Sequence, residues 1–172
     1  MKFFLPIFLF FFIISSPVIS DQKIVFVDVD RLVSASKPGS SIFKQLKDIN
    51  NKNLNFLKNE EKKFKEQEKK LIAQKNIIIE ADFTNKVKKL KSEINDYNLD
   101  KKKMIEEFNK LKVENTNNFL KQINLILTKY SKENEISIIL KKKDLIIGKS
   151  ELDITEEIIK IINIEIKEFK IK

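Results

Sequence analysis

The chain has 172 residues, a formal net charge of +9 and a mean hydropathy of -0.29. It contains no cysteine and no histidine, which excludes disulfide bonds, thiol or imidazole nucleophiles and the common zinc sites. Two glycines are too few for a phosphate-binding loop, so the composition indicates a basic, non-enzymatic protein without a cofactor or metal.

Residues 1–20 have the pattern of a secretory signal peptide: Lys2, an apolar run over 3–14, and small residues before a charged position. The run is too short to cross a bilayer of about 30 Å, and two prolines interrupt this segment. We therefore predict cleavage after Ser20 and export to the periplasm. The alternative is an uncleaved signal segment that anchors a structural coiled-coil envelope protein.

The predicted mature chain keeps a net charge of +8 once Lys2 is removed. Such a charge is typical of proteins with anionic partners. Export favours acidic proteins or anionic lipid over nucleic acid. The aromatic residues also fall on a helix seam instead of alternating with lysines as a nucleic-acid stacking surface requires. We expect no nucleic-acid partner, although a cytoplasmic location would revive that possibility.

The first part of a small body is predicted over residues 21–39. Residues 23–28 are rich in β-branched and aromatic side chains, which favours a strand. Residues 30–36 can form a brief helix, and Pro38-Gly39 separates it from the next segment.

Residues 40–134 are predicted to form a long helical hairpin, since no glycine or proline occurs between 40 and 147. The first apolar stripe is Ile42, Leu46, Ile49, Asn53, Leu57, Phe64, Leu71 and Ile78, of which the last four are one heptad apart. The second stripe follows three- and four-residue steps: Phe83, Val87, Leu90, Ile94, Tyr97, Lys101, Met104, Phe108, Leu111, Asn115, Phe119, Ile123, Ile126 and Tyr130. Charged residues Glu61, Glu68 and Lys75 interrupt the first stripe and predict a weakly packed coiled coil. The five-residue step between the stripes places the tip at about 77–82. The alternative is a continuous rod of roughly 95 residues in a parallel coiled coil.

The rest of the body is predicted over residues 135–172. Residues 136–140 and 145–147 favour two strands joined by a charged turn. An isoleucine-rich helix follows to about Lys167, with Asp153 or Thr155 as its cap. The fold class is thus α+β, predominantly helical, with an antiparallel coiled-coil hairpin on a small β body. A body this small cannot bury enough surface alone, so we expect folding to be coupled to self-association.

The order of these segments resembles the Skp/OmpH family of periplasmic chaperones for outer-membrane proteins. The resemblance is carried by residues 23–28 continuing to 36–39, and by 136–140 leading to 152–159. It spans essentially the whole mature chain. The tip region, 74–90, is also similar, but Glu80 stands where a capping serine would be expected. The resemblance implies a homotrimer whose three arms enclose a cavity, and an ATP-independent holdase that keeps unfolded outer-membrane proteins from aggregating.

Candidate client-binding residues lie on the hairpin, where residues 58–112 contain 16 lysines and 11 acidic residues. They are Lys62, Lys63, Lys69, Lys70, Ile77, Ile78, Ile79, Phe83, Lys88, Lys89, Lys101, Lys102 and Lys103. In a simpler interpretation the lysines form a solvated helix face with i,i+4 ion pairs, and the apolar residues only pack the tip.

Candidate residues of the trimer body are Ile24, Phe26, Ile138, Leu140, Ile146, Ile158 and Ile162. The expected partners are unfolded outer-membrane proteins and further copies of the chain. Anionic lipid and lipopolysaccharide are additional candidates.

Overall fold

The structure is a computed structural model that describes residues 22–167 and 169–171. The predicted signal peptide, 1–20, lies outside the described residues. Strand β1 spans Lys23–Val27, helix α1 Val29–Ala35, helix α2 Lys37–Gln74, helix α3 Glu80–Glu133, strand β2 Ile136–Lys141 and helix α4 Thr155–Glu165. Short 3-10 turns occupy Lys142–Asp144 and Ser150–Leu152.

The two strands pair in parallel, because the chain leaves β1, runs out along α2, returns along α3 and re-enters in the same direction. Val25 and Val27 point into the core, together with their neighbour Ile139. The register sets Ile24 beside Ile138 and Phe26 beside Leu140 on the other face. The sheet is therefore apolar on both faces.

The predicted second strand of the C-terminal region, 145–147, is wrong for the described residues of this chain. A 3-10 turn at Lys142–Asp144 sends the chain away from β2 where a hairpin would need a tight reversal. The chain then crosses to the other side of β1, where Asp153 forms a parallel bridge with Phe26. Ile146 and Ile147 are left 99% and 89% exposed.

Helix α2 begins at Lys37, three residues earlier than predicted, with Pro38 and Gly39 inside its first turn. Proline is tolerated there because the first N–H groups of a helix have no intrahelical partner. The Ser36 hydroxyl accepts a hydrogen bond from the Gly39 N–H at 3.4 Å. A Cβ on Gly39 would lie 1.8 Å from the Val33 carbonyl oxygen, so the close packing of α1 against α2 requires glycine.

The core lies where α1, α4 and the sheet pack against the start of α2 and the end of α3. Its fully buried side chains include Leu32, Phe119, Ile123, Ile158 and Ile162. The start of α4 is fixed by Asp153, whose carboxylate accepts a hydrogen bond from the Thr155 N–H at 3.0 Å. Thr155 in turn accepts one from the Asp28 N–H at 2.9 Å, which ties α4 to the end of β1.

Helices α2 and α3 lie antiparallel, because later positions of α2 contact earlier positions of α3. The Lys86 ammonium donates to the Gln74 side chain, whereas the Tyr97 hydroxyl donates to the Leu57 carbonyl and the Glu61 carboxylate. The helix is interrupted at residues 75–79, so the continuous rod does not describe this chain. The turn begins at residue 75, two residues before the predicted tip. The change in spacing between the two stripes located the chain reversal only to within a few residues. Glu80 and Asp82 favour the start of α3 at this point, because their negative charges lie at the positive end of the helix dipole.

Both apolar stripes face the partner helix. Every stripe residue from Ile42 to Ile78, and from Phe83 to Tyr130, is buried or half-buried. The interrupting residues Glu61, Glu68 and Lys75 are exposed. The spacing of apolar residues therefore identified the contact faces of both helices correctly.

Candidate functional site

The arm, defined as residues 49–112 of α2 and α3, is fastened midway by a polar cluster that we call the clasp. The Tyr97 hydroxyl donates hydrogen bonds to the Leu57 carbonyl at 3.3 Å and to the Glu61 carboxylate at 3.0 Å. Lys101 donates to the same carboxylate at 2.9 Å. The Phe64 ring meets the Tyr97 ring with centroids 5.3 Å apart. The clasp joins the two helices at a level where the packed seam is thin.

In the clasp, Glu61 and Lys101 are charged at neutral pH and Tyr97 keeps its proton. The hydrogen bond from Lys101, followed by that from Tyr97, lowers the pKa of Glu61. The hydrogen bond to Glu61 raises the pKa of Lys101. Desolvation by burial, and then the hydrogen bond to Glu61, raise the pKa of Tyr97, so this hydroxyl remains a donor. The hydrogen bonds that shift the pKa values of Glu61 and Lys101 therefore favour the closed clasp.

Two clefts flank the seam between the clasp and the core, and both are lined by Asn53, Met104 and Phe108. One has a volume of about 590 Å³ and the other about 550 Å³. Leu54 and Ile105 line the larger cleft and Phe56 the smaller, and all three side chains are exposed. The arm therefore offers apolar contact surface on both of its sides.

The distal arm, defined as residues 65–93, carries eight lysines and five acidic residues. In this described stretch, seven of the lysines have no carboxylate within 4.0 Å, and Lys89 lies 4.0 Å from Glu93. The seven are Lys65, Lys69, Lys70, Lys75, Lys86, Lys88 and Lys91. Lys70, Lys86 and Lys89 line a cleft of about 250 Å³ near the tip. Lys86 donates a hydrogen bond to the Gln74 side chain at 3.1 Å, and the other six lysines are open to an anionic partner.

The remaining predicted lysines are each paired with a glutamate. Lys63 bonds Glu60 at 2.5 Å, and Lys62 lies 3.9 Å from Glu66. Lys102 and Lys103 are 4.0 Å and 3.9 Å from glutamates four residues further on. Lys101 belongs to the clasp. For these residues the geometry favours the simpler interpretation of a salt-bridged helix face.

The predicted apolar tip residues divide into two pairs. Ile77 and Ile79 are exposed, whereas Ile78 and Phe83 are half-buried at the end of the seam. Ile77 and Ile79 are therefore the tip side chains available for contact with another molecule.

The predicted body residues also divide. Ile158 and Ile162 are buried in the core, and Phe26 is buried on the outer face of the sheet against Gly148 of the crossing segment, so these three side chains are already covered. Ile24, Ile138 and Leu140 remain 40%, 45% and 39% exposed on the outer face of the sheet. Ile146 lies beyond them on the crossing segment. The residues open to a second molecule are thus those of the outer sheet face.

The clasp and the paired clefts were not predicted. A signal for the clasp was present, because Glu61 is one of the charged residues that interrupt the first stripe and Lys101 is a charged residue in the second. Aligning the stripes antiparallel would have set these two residues opposite each other. The clefts gave no such signal, since they depend on the local separation of two helix axes.

No group of acidic side chains within residues 22–167 and 169–171 is arranged to hold a metal ion. In the same residues, no helix is both long and apolar enough to cross a membrane.

The sequence matches the model of a family described as outer membrane protein (OmpH-like) over residues 23–162. The structure is similar to the crystal structure of an OmpH-like protein from Caulobacter crescentus CB15, which was assigned as an outer membrane chaperone. The TM-score is 0.82 at 17% sequence identity, with 87% of this chain and 88% of that chain covered. No curated protein matches the sequence at a significant level.

Proposed function

Because the chain belongs to the OmpH-like family, we propose that it is a periplasmic holdase that captures unfolded outer-membrane proteins and prevents their aggregation without ATP. The observation that carries this proposal is the distal arm, where seven lysines without carboxylate partners stand on a long hairpin remote from the core. Export through a signal peptide cleaved after Ser20 is part of the proposal.

We propose that three copies assemble through the outer face of the sheet. Ile24, Ile138 and Leu140 form an exposed apolar patch there, and solvent-exposed patches of this kind commonly mark interfaces. Ile146 and Ile147, on the segment that follows β2, are also exposed. Pooling three such faces would bury apolar surface that one chain cannot cover, and it would set three arms side by side as antiparallel coiled-coil hairpins.

Capture would begin with electrostatic attraction. Three distal arms around one cavity add their fields, and a cleft lined by one sign of charge raises the local concentration of an opposite charge. The expected clients are acidic unfolded chains. Association with them should be fast and should weaken with added salt.

Retention would rest on weak apolar contacts. The two clefts beside Met104 and Phe108, together with Ile77 and Ile79 at the tip, offer separate small surfaces. Many small contacts can break one at a time, so a client can leave without energy input. The proposed activity is therefore binding without catalysis.

The test uses residues 21–172 and an outer-membrane protein diluted from urea in nucleotide-free buffer, with aggregation followed by light scattering. We expect scattering to be suppressed at about three chains per client. Unchanged scattering at a tenfold excess of the chain would contradict the holdase proposal.

A further inference from the structure

The C-terminal tail, defined as residues 169–171, packs against Gln45 of α2 and Phe119 of α3, and we call the surface that it covers the groove. The side chain of Phe169 is only 8% exposed, and its ring meets the edge of the Phe119 ring with centroids 5.7 Å apart. Ile171 packs against the same core. This tail follows the end of α4 and forms neither helix nor strand.

The side chain of Gln45, on α2, holds the backbone of the tail at two points. Its amide nitrogen donates to the Phe169 carbonyl at 2.8 Å, and its amide oxygen accepts from the Ile171 N–H at 3.2 Å. The nitrogen also donates to the Ser41 hydroxyl at 3.1 Å, which fixes the orientation of the amide.

This arrangement imitates the pairing of a β-strand. A glutamine amide carries the same donor and acceptor as a peptide group. In a parallel ladder, the N–H of one residue donates to the carbonyl of the residue before its partner. The carbonyl of the same residue accepts from the N–H of the residue after its partner. Gln45 bonds those two groups, on either side of Lys170. The contact thus recognises an extended backbone whatever its sequence.

Side-chain selectivity comes from the spacing of the apolar residues. Phe169 and Ile171 turn toward the core, and the sequence alternates them with Lys170 and Lys172. The same alternation of apolar and polar residues is the signature of transmembrane β-strands. The tail thus shares with such strands the placing of two apolar side chains on either side of a lysine, over residues 169–171.

We propose that the groove containing Gln45 and Phe119 is a binding site for extended peptides with apolar residues at alternate positions, and that the chain's own tail occupies it as a competitor. This inference rests on the proposed function, because it identifies the client segment that would be read. A tethered segment has an effective concentration of about 1 mM, so an external peptide enters only when the tail is weakened.

The test compares the parent chain with its Phe169→Ala variant, which removes the buried ring of the tail. The probe is a fluorescein-labelled peptide with the sequence of residues 165–172, and binding is followed by fluorescence anisotropy. We expect the variant to bind the probe at least about tenfold more tightly than the parent chain. Adding Gln45→Ala should abolish that gain, whereas adding Gln67→Ala on the arm should leave it intact.

A control probe exchanges the phenylalanine and lysine of positions 169 and 170, which breaks the alternation, and it should bind at least about tenfold more weakly. A folded Phe169→Ala chain that binds neither probe, or binds both equally, overturns the inference. If Phe169→Ala does not fold, Ile171→Ala replaces it with the same expectations, and the absence of probe binding by that variant overturns the inference too. The parent chain's suppression of aggregation is measured separately, so a failure of the proposed function is distinguishable.

Discussion

Two individual residues determine the geometry of the arm, and neither acts through hydrophobic burial. Gly39 allows α1 to approach the first turn of α2, because its missing side chain leaves room for the Val33 carbonyl. Glu61 gathers a phenol and an ammonium from the opposite helix. The first sets the origin of the arm at the core, and the second holds its midpoint closed.

The Gly39→Ala substitution should destabilise the chain by at least about 2 kcal/mol, because a methyl group would overlap the Val33 carbonyl. Helix propensity alone predicts the opposite sign, since alanine is favoured over glycine by about 1 kcal/mol in a helix. Urea denaturation followed by circular dichroism measures the difference. Ser40→Ala, on the next and exposed position, should change the stability little.

The Glu61→Gln substitution should lower the melting temperature slightly at pH 7, by about 1–2 °C, as expected for an exposed ion pair. Because the pKa of Glu61 is lowered in the folded chain, its contribution is present above the unfolded value of about 4.5 and is lost as the pH falls through the folded value. The difference between variant and parent should therefore be smaller at pH 3 than at pH 7. Glu68→Gln, an exposed position on the same stripe, serves as the control and should show no difference at either pH. A loss that persists undiminished at low pH would contradict the electrostatic account of the clasp.

At the scale of elements, the sequence predicted the two long helices well because their contact faces follow local periodicity. Every stripe residue is at least half-buried, and this result required no knowledge of the rest of the fold. The strand expected at 145–147 failed because strand formation depends on an available edge. The chain uses the second edge of β1 for Asp153, a non-local choice that no local pattern reveals.

Lysines of the distal arm and the salt-bridged lysines of α3 nearer the core should differ in their effect on client binding. The triple variant Lys69→Gln, Lys70→Gln and Lys88→Gln removes lysines without carboxylate partners from the distal arm. It should weaken the binding of an acidic unfolded outer-membrane protein by about tenfold, and it should reduce the salt dependence of the dissociation constant.

The matched control is Lys102→Gln, Lys103→Gln and Lys110→Gln, which removes the same charge from lysines that already face glutamates. Fluorescence titration at two salt concentrations measures both variants. Equal losses in the two variants would show that total charge matters and that its location does not.

At the scale of the whole molecule, the sequence allowed the family to be inferred from the order of elements, whereas the sites available to other molecules depended on exposure. Phe26 and Ile138 are equally apolar in the sequence, yet one is buried in this chain and the other is open. Tertiary packing makes that distinction. The same reason explains why the tail bound by Gln45 was not anticipated.

The Ile138→Asp substitution should convert the proposed trimer into monomers, because it places a charge in the centre of the exposed sheet face. Ile164→Asp is the control, since Ile164 is an exposed isoleucine on α4 and lies apart from the sheet. Sedimentation equilibrium over a tenfold range of concentration measures the mass of each variant. If Ile138→Asp retains the mass of the parent, the interface lies elsewhere.

The central claim is that several arms together hold one unfolded client, and the mass of the complex tests it most directly. Sedimentation velocity of residues 21–172, mixed with a labelled unfolded outer-membrane protein in nucleotide-free buffer, should give one soluble species with three chains per client. Free chains at monomer mass beside a pelleted client would contradict the claim.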